Sequence, residues 1–134
     1  SPVYGPGGSR PRLIQNFAAK IAAGETVRTH RYRNGKPALD LLHVRDAADA
    51  LARVAESTGS GIYHFGSGVL TTTSDIAATI GDLLGRGVNY QEMLIDDNVA
   101  NVRMDFRKAG ANLGWAPTIS LAEGLREMLS ERAS

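Results

Sequence analysis

The sequence predicts a mixed domain, α/β or α+β, on three observations. Segments with helical spacing alternate with short extended segments along all 134 residues. Gly, Asn-Gly, Asp, Ser and Thr fall between those segments, where caps and turns need them. There is no internal repeat, low-complexity tract or long linker, and the length suits one domain with a core of ordinary size.

Taken in order, Val3-Tyr4 reads as the tail of a strand running into the loop Gly5-Pro6-Gly7-Gly8. Pro11 suits a first helical position, where its missing N–H costs nothing. Leu13, Ile14, Phe17, Ala18 and Ile21 follow at helical spacing, and Gly24 is the stop. THRYRNGKPALDLLHV reads as two extended runs folded into a hairpin at Asn34-Gly35, with Pro37 marking an edge or bulge. Asp46 is the expected cap of a helix whose apolar face is Ala47, Ala50, Leu51, Val54 and Ala55, closed by Gly59. Ile62-Tyr63-His64-Phe65 reads as a short buried strand. The run Thr71-Thr72-Thr73-Ser74 caps a helix through Ile76, Ala77, Ile80, Leu83 and Leu84, stopped by Gly85. Residues 88–95 are extended. A short helix from Asp105 ends at Leu113-Gly114. Ser120-Leu-Ala-Glu123 is a capping box opening a last helix with Leu121, Leu125, Met128 and Leu129 on one side.

Composition excludes several classes. No apolar run reaches the roughly 20 residues of a membrane-spanning helix, and no membrane partner is expected. Cys is absent, so disulfides and thiolate metal sites are excluded. A cytoplasmic location is the expectation. A net charge of +1 argues against a nucleic-acid partner, whose phosphates demand a concentrated basic surface. The local cluster Arg28, His30, Arg31, Arg33 and Lys36, with Arg10 and Arg12 upstream, reads as a solvated hairpin, because aromatics do not interleave with it.

The motifs that carry chemistry elsewhere are incomplete here. Tyr32-x-x-x-Lys36 has the spacing of an acid/base pair, but Asn34-Gly35 between them breaks the helix that would aim both at one substrate. Gly66-Ser67-Gly68 lies between strand and helix, yet Thr71 stands where a dinucleotide fingerprint needs a third Gly, so a tight turn is expected. Pro6 removes a donor from Gly5-Pro6-Gly7-Gly8. His43 and His64 read as hydrogen-bonded core histidines, Asp96-Asp97 as a loop or cap, and Trp115 as a packing anchor. No spacing of His and carboxylates supports a metal. From the residues alone no self-contained active site emerges.

Read together, the blocks VYGPG, a helix ending in AG, Y-x-x-G, DLLHVRDAADAL, IYHFGSG, DFRKAxxxLGWxP and SLxEGL resemble, in order and spacing, the carboxy-terminal portion of the extended short-chain dehydrogenase/reductases. That is the NAD-dependent epimerase/dehydratase family, UDP-glucose 4-epimerase among its members. The resemblance covers nearly the entire chain. It implies an α/β fold in which residues 1–134 form a substrate-binding domain with a few elements that would complete a Rossmann sheet. The cofactor half, carrying the Gly-rich loop and the catalytic Tyr-x-x-x-Lys, is expected in polypeptide preceding Ser1.

The family's activity, isomerase or oxidoreductase, implies NAD or NADP in the parent enzyme. No catalytic, cofactor-binding or metal residue is expected in this chain, and catalysis is not expected of it alone. The resemblance places Tyr4, Gly5, Gly7, Arg12, Leu13, Tyr32, Leu39 and Asp97 around a small, sugar-like substrate. It also implies departures: Pro2 stands where the family has an Asn, and Leu39 and Leu94 stand where it has the arginines that grip a nucleotide sugar. Expected partners are the Rossmann part or, in an alternative reading, another copy of a stand-alone self-associating module.

Overall fold

The computed structural model describes residues 1–8 and 12–133. The expected helix start at Pro11, like Arg10, lies outside them. Helix α1 (Leu13–Ala22) buries Ile14, Phe17, Ala18 and Ile21, the stripe its spacing requires. Strand β1 (Val3–Tyr4) precedes it, and β2 (Val27–Tyr32) follows. β3 (Ala38–Asp40), β4 (Leu42–His43) and α2 (Val44–Glu56) run on almost without a break. β5 (Leu70–Thr72) leads into α3 (Thr73–Leu84), then β6 (Tyr90–Ile95), α4 (Arg107–Leu113) and α5 (Leu121–Ala133). The Thr72 hydroxyl accepts the Asp75 N–H at 3.1 Å, and α3 stops at Gly85, both as expected. The capping box forms too: Ser120 N–H donates to Glu123 at 2.9 Å and Glu123 N–H donates to the Ser120 hydroxyl at 3.2 Å.

The strands make three two-stranded ladders. β1 pairs parallel with β4, β2 parallel with β6, and β3 antiparallel with β5. The hairpin expectation is therefore corrected. Asn34-Gly35 does form a tight turn, with Tyr32 and Gly35 exchanging backbone hydrogen bonds of 2.8 and 3.1 Å. Gly35 sits at φ 135°, where a Cβ would be strained. The flanking strands then part company. Pro37 has no N–H to continue a ladder, and its carbonyl accepts from Thr73 instead. The Asn34 side chain binds both the carbonyl and the N–H of Val99 at 2.8 Å, drawing the turn toward residues 99–101.

One cluster joins Tyr4, the α1 stripe, Val27, Leu125 and α3's Ile76, Ala77 and Ile80. A second gathers Leu42, Ala50 and Ala109 around Trp115, which is fully buried with its indole N–H on the Asp46 carbonyl at 3.0 Å. Each large side chain so buried stabilises by roughly 1.5–3 kcal/mol. Phe65 and Phe106 meet the indole edge-to-face at 5.0 and 5.8 Å. Trp115 is the anchor the sequence suggests.

Three further expectations change. Residues 62–65 form no strand and join no ladder among the described residues; Tyr63 and Phe65 pack toward Trp115, while Ile62 and His64 are exposed. His64 is thus no core histidine. Asp46 does not cap α2: the N-cap is His43, whose Nδ1 accepts from Arg45 N–H at 3.2 Å. The α2 face also rotates, because Asp46 and Ala50 are the buried residues while Leu51 is 70% exposed and Val54 40%. The helix turns small residues and a bonded carboxylate toward Trp115 and leaves its larger apolar side chains open.

Candidate functional site

β1 ends at Tyr4 and the chain turns at once through Gly5-Pro6-Gly7-Gly8. Gly5, at φ 146°, lies against the Val44 side chain, so any Cβ there would collide with it. That close approach brings the start of α2 up to the loop. Across from it, Arg12 caps the backbone of α1, its own N–H donating to Gln15 Oε1 at 3.2 Å. β3 and the residue after it add Leu39 and Leu41. These pieces enclose an open cleft of about 810 Å³ lined by residues 1–8, Arg12, Leu13, Ile14, Gln15, Leu39, Leu41 and Val44.

Six of the eight expected site residues meet on this cleft: Tyr4, Gly5, Gly7, Arg12, Leu13 and Leu39. Tyr32 and Asp97 do not line it. Tyr32 ends β2 opposite Ile95. Asp97 is exposed just beyond β6, its carbonyl accepting from Arg33 N–H at 2.9 Å and its carboxylate from Asn98 N–H at 2.7 Å. Tyr32 and Lys36 flank a turn, so they share no helix face. The basic cluster is partly neutralised where it stands, Arg31 on Glu92 at 3.0 Å and Arg33 on Asp96 at 2.6 Å.

Close in the chain to the cleft's Leu39, Leu41 and Val44 lie three buried polar residues, Asp40, His43 and Asp46, and the sequence expectations include none of Asp40's bonds. Asp40 is 1% exposed, and its carboxylate accepts four bonds: Ser67 N–H and hydroxyl, both at 2.7 Å, Met104 N–H at 2.9 Å and Gly68 N–H at 3.1 Å. Burial pushes its pKa up, but the Ser67 hydroxyl and the three N–H donors outweigh it and hold the acid below the usual carboxylate range. Asp46 accepts from Thr118 N–H, Thr118 hydroxyl and Ile119 N–H at 3.0, 2.8 and 3.0 Å. His43, whose ring stands edge-on to Tyr4 at 5.3 Å, is buried as expected. With Nδ1 accepting, the ring proton sits on Nε2, 3.2 Å from Glu127 Oε2 but out of line for a hydrogen bond. Glu127 gives its well-aligned contact to Arg45 at 2.7 Å. The available signal was an acid inside the apolar run Leu39-Asp40-Leu41-Leu42: a buried charge demands partners.

These bonds limit the chemistry. The Gly66-Ser67-Gly68 turn resembles a phosphate loop, but the Ser67 and Gly68 N–H groups are spent on a buried carboxylate. A pyrophosphate does not fit there, nor at Gly5-Pro6-Gly7-Gly8, where Pro6 lacks a donor. The Tyr4 phenol is pushed up to about 12 by burial first, then by the charges of Asp46, Glu123 and Glu127. It stays protonated at neutral pH, facing the Ser120 carbonyl at 3.4 Å, and is no general base. Among the described residues no group of three His, Cys, Asp or Glu could hold a metal ion, and no helix is long and apolar enough to cross a membrane.

The model of the NAD dependent epimerase/dehydratase family matches residues 1–66. GDP-L-fucose synthase 1 of Arabidopsis thaliana is 32% identical over 121 residues, covering 87% of this chain and 36% of that protein. The crystal structure of UDP-glucose 4-epimerase with UDP-glucose from Thermotoga maritima superposes with a TM-score of 0.74 at 26% identity, over 98% of this chain and 43% of that one. dTDP-glucose 4,6-dehydratase from Bacillus anthracis, in complex with NAD, gives a TM-score of 0.83 at 22% identity, over 98% of this chain and 42% of that one. The chain thus spans well under half the length of the proteins it matches, with their mixed α/β fold. Over residues 1–66 its sequence matches the NAD dependent epimerase/dehydratase family, and over nearly its whole length it is similar to the structure of an epimerase.

Proposed function

We propose that residues 1–134 are the substrate-binding domain of an NAD(P)-dependent epimerase, dehydratase or reductase acting on a nucleotide-sugar-like substrate, and that catalysis requires more polypeptide than this chain. The observation that carries the reading is the convergence of Tyr4, Gly5, Gly7, Arg12, Leu13 and Leu39 on one cleft. The Thermotoga relative's structure with UDP-glucose and the dehydratase's with NAD supply the substrate and cofactor classes. Nothing described here fits the cofactor's pyrophosphate, so these residues serve the substrate. Arg12 offers a charged fork, and Leu13 and Leu39 an apolar surface that excludes water, while Tyr4 lines the cleft with its phenol turned into the core toward the Ser120 carbonyl. Tyr32 and Asp97, off the cleft, belong to the reading as contacts for the distal end of a long ligand. A cytoplasmic location is part of the same proposal.

Amide NMR of the full chain titrated with UDP-glucose at millimolar concentration tests it. The Gly5, Gly7, Leu13 and Leu39 amides are expected to shift, while NAD leaves the spectrum unchanged. Shifts confined to other surfaces, or saturable NAD binding, would overturn the assignment. A second reading, a self-associating module, is favoured by the open apolar residues Val44, Leu51 and Val54 on α2. A discrete, stable dimer in solution-mass measurements supports it, and a monodisperse monomer rules it out.

A further inference from the structure

The charge on the cleft's walls decides which ligand suits it. Among the described lining residues Arg12 is the one ionised side chain, and none of them is a carboxylate. Much of the remaining lining is hydrocarbon: Val3, Leu13, Leu39, Leu41 and Val44. Leu39 and Leu41 are held in place by packing against the larger core cluster, so that wall is built rather than adaptable. The neighbouring guanidinium groups of Arg31, Arg33 and Arg45 are engaged by Glu92, Asp96 and Glu127. None of the three lines the cleft. One guanidinium can grip one carboxylate or phosphate oxygen pair in its planar fork. A second charge on the same ligand would face leucine and valine, losing water without gaining a partner.

We infer that the cleft takes a hydroxylated ligand with a single negative charge and an apolar substituent, a sugar acid glycoside in chemical class, in preference to a pyrophosphate-linked sugar. This rests on the cleft being the substrate site and replaces the nucleotide sugar expected there with a singly charged, sugar-like ligand. The charge lies on Arg12 and the apolar group lies on Leu39, Leu41 and Val44.

The test is calorimetric titration of the full chain with phenyl β-D-glucuronide, phenyl β-D-glucoside and UDP-glucose. The chain's N-terminal amine is acetylated, because it would otherwise add a second cation beside Ser1. Losing one charge-assisted contact costs about tenfold to a hundredfold in affinity. The glucuronide is expected to bind at least about tenfold more tightly than either other ligand. Arg12→Gln, at an exposed position, should abolish the difference between glucuronide and glucoside. Leu39→Arg should raise affinity for UDP-glucose; should that variant fail to fold, the salt dependence of the unmodified chain reads out the same quantity, one charge pair for the glucuronide. UDP-glucose binding more tightly than the glucuronide and weakening with Arg12→Gln overturns the charge class but leaves the cleft as the site. Affinities for all three ligands that ignore Arg12→Gln, or no binding by any of them, overturn the site itself.

Discussion

Asp40→Asn removes a charge without changing the shape of the side chain, so its effect can be worked from the bonds. One carboxylate oxygen of Asp40 accepts from Ser67 N–H and hydroxyl, the other from Gly68 and Met104 N–H. An amide has one accepting oxygen. Turned one way, its NH₂ group faces the Gly68 and Met104 N–H groups. Turned the other, it faces the Ser67 N–H, while the Ser67 hydroxyl can swing to donate to the Val69 carbonyl and accept from the amide. At least one buried bond is therefore lost, and the others lose their charge. One such bond lost at roughly 1.5–3 kcal/mol, with the others weakened by about 1.5–2 kcal/mol together as their acceptor becomes neutral, gives an expected loss of about 3–5 kcal/mol. That is a large part of a domain stability of about 5–15 kcal/mol. With a slope near 2 kcal/mol per molar, the urea midpoint should fall by about 2 M at unchanged slope. Hydrogen exchange at the Ser67, Gly68 and Met104 amides should accelerate together. The pH dependence carries a sign as well. Because the folded pKa is depressed, the stabilisation is complete above the unfolded carboxylate value of about 4 and is lost as pH falls toward the lower folded value. The gap between wild type and variant should therefore close in acid. A midpoint shift below about 0.5 M at pH 7, with slope unchanged, would refute the account of Asp40 as the tie between β3 and two distant loops.

Three other outcomes follow from the same structure. Between about pH 10, where an unfolded Tyr titrates, and about 12, its folded value, Tyr4 should make stability decline with rising pH; Tyr4→Phe, followed by alkaline denaturation, should remove that segment of the curve. Trp115→Ala should destabilise by about 3–5 kcal/mol, by loss of the aromatic contacts and the bond to Asp46, and a change under about 1 kcal/mol in denaturant titration would contradict its place as an anchor. Leu51→Gln should stay within about 0.5 kcal/mol in the monomer, since Leu51 is 70% exposed; a larger loss that grows with protein concentration would instead reveal a buried helix face between copies.

The helices were legible because their signals are local. Apolar spacing in α1 and α3, the Thr72 cap and the Ser120–Glu123 box all lie within a few residues and were read correctly. The ladders were not. β2 faced two chemically acceptable partners, and the turn at Asn34-Gly35 favoured the nearer one; β6, some 60 residues on, took its place. The site followed the same division. Loop and cleft residues near Tyr4 and Arg12 follow from the family's ordered motifs, whereas Asp40 carries no local signal of its partners and Asp46 reads as a helix cap, because their donors lie 27 to 73 positions away.

The sequence by itself determined the mixed class, the apolar stripes of α1 and α3, the absence of cysteine chemistry and the family resemblance, since each is written in neighbouring residues or in their order. Only the tertiary structure decided which strands pair, that the glycine turn at 66–68 holds a carboxylate, and that Arg12 shares a cleft with Leu39, Leu41 and Val44. Those are matters of which distant groups share one low-dielectric space, where an unpartnered charge is costly and a satisfied one locks the fold.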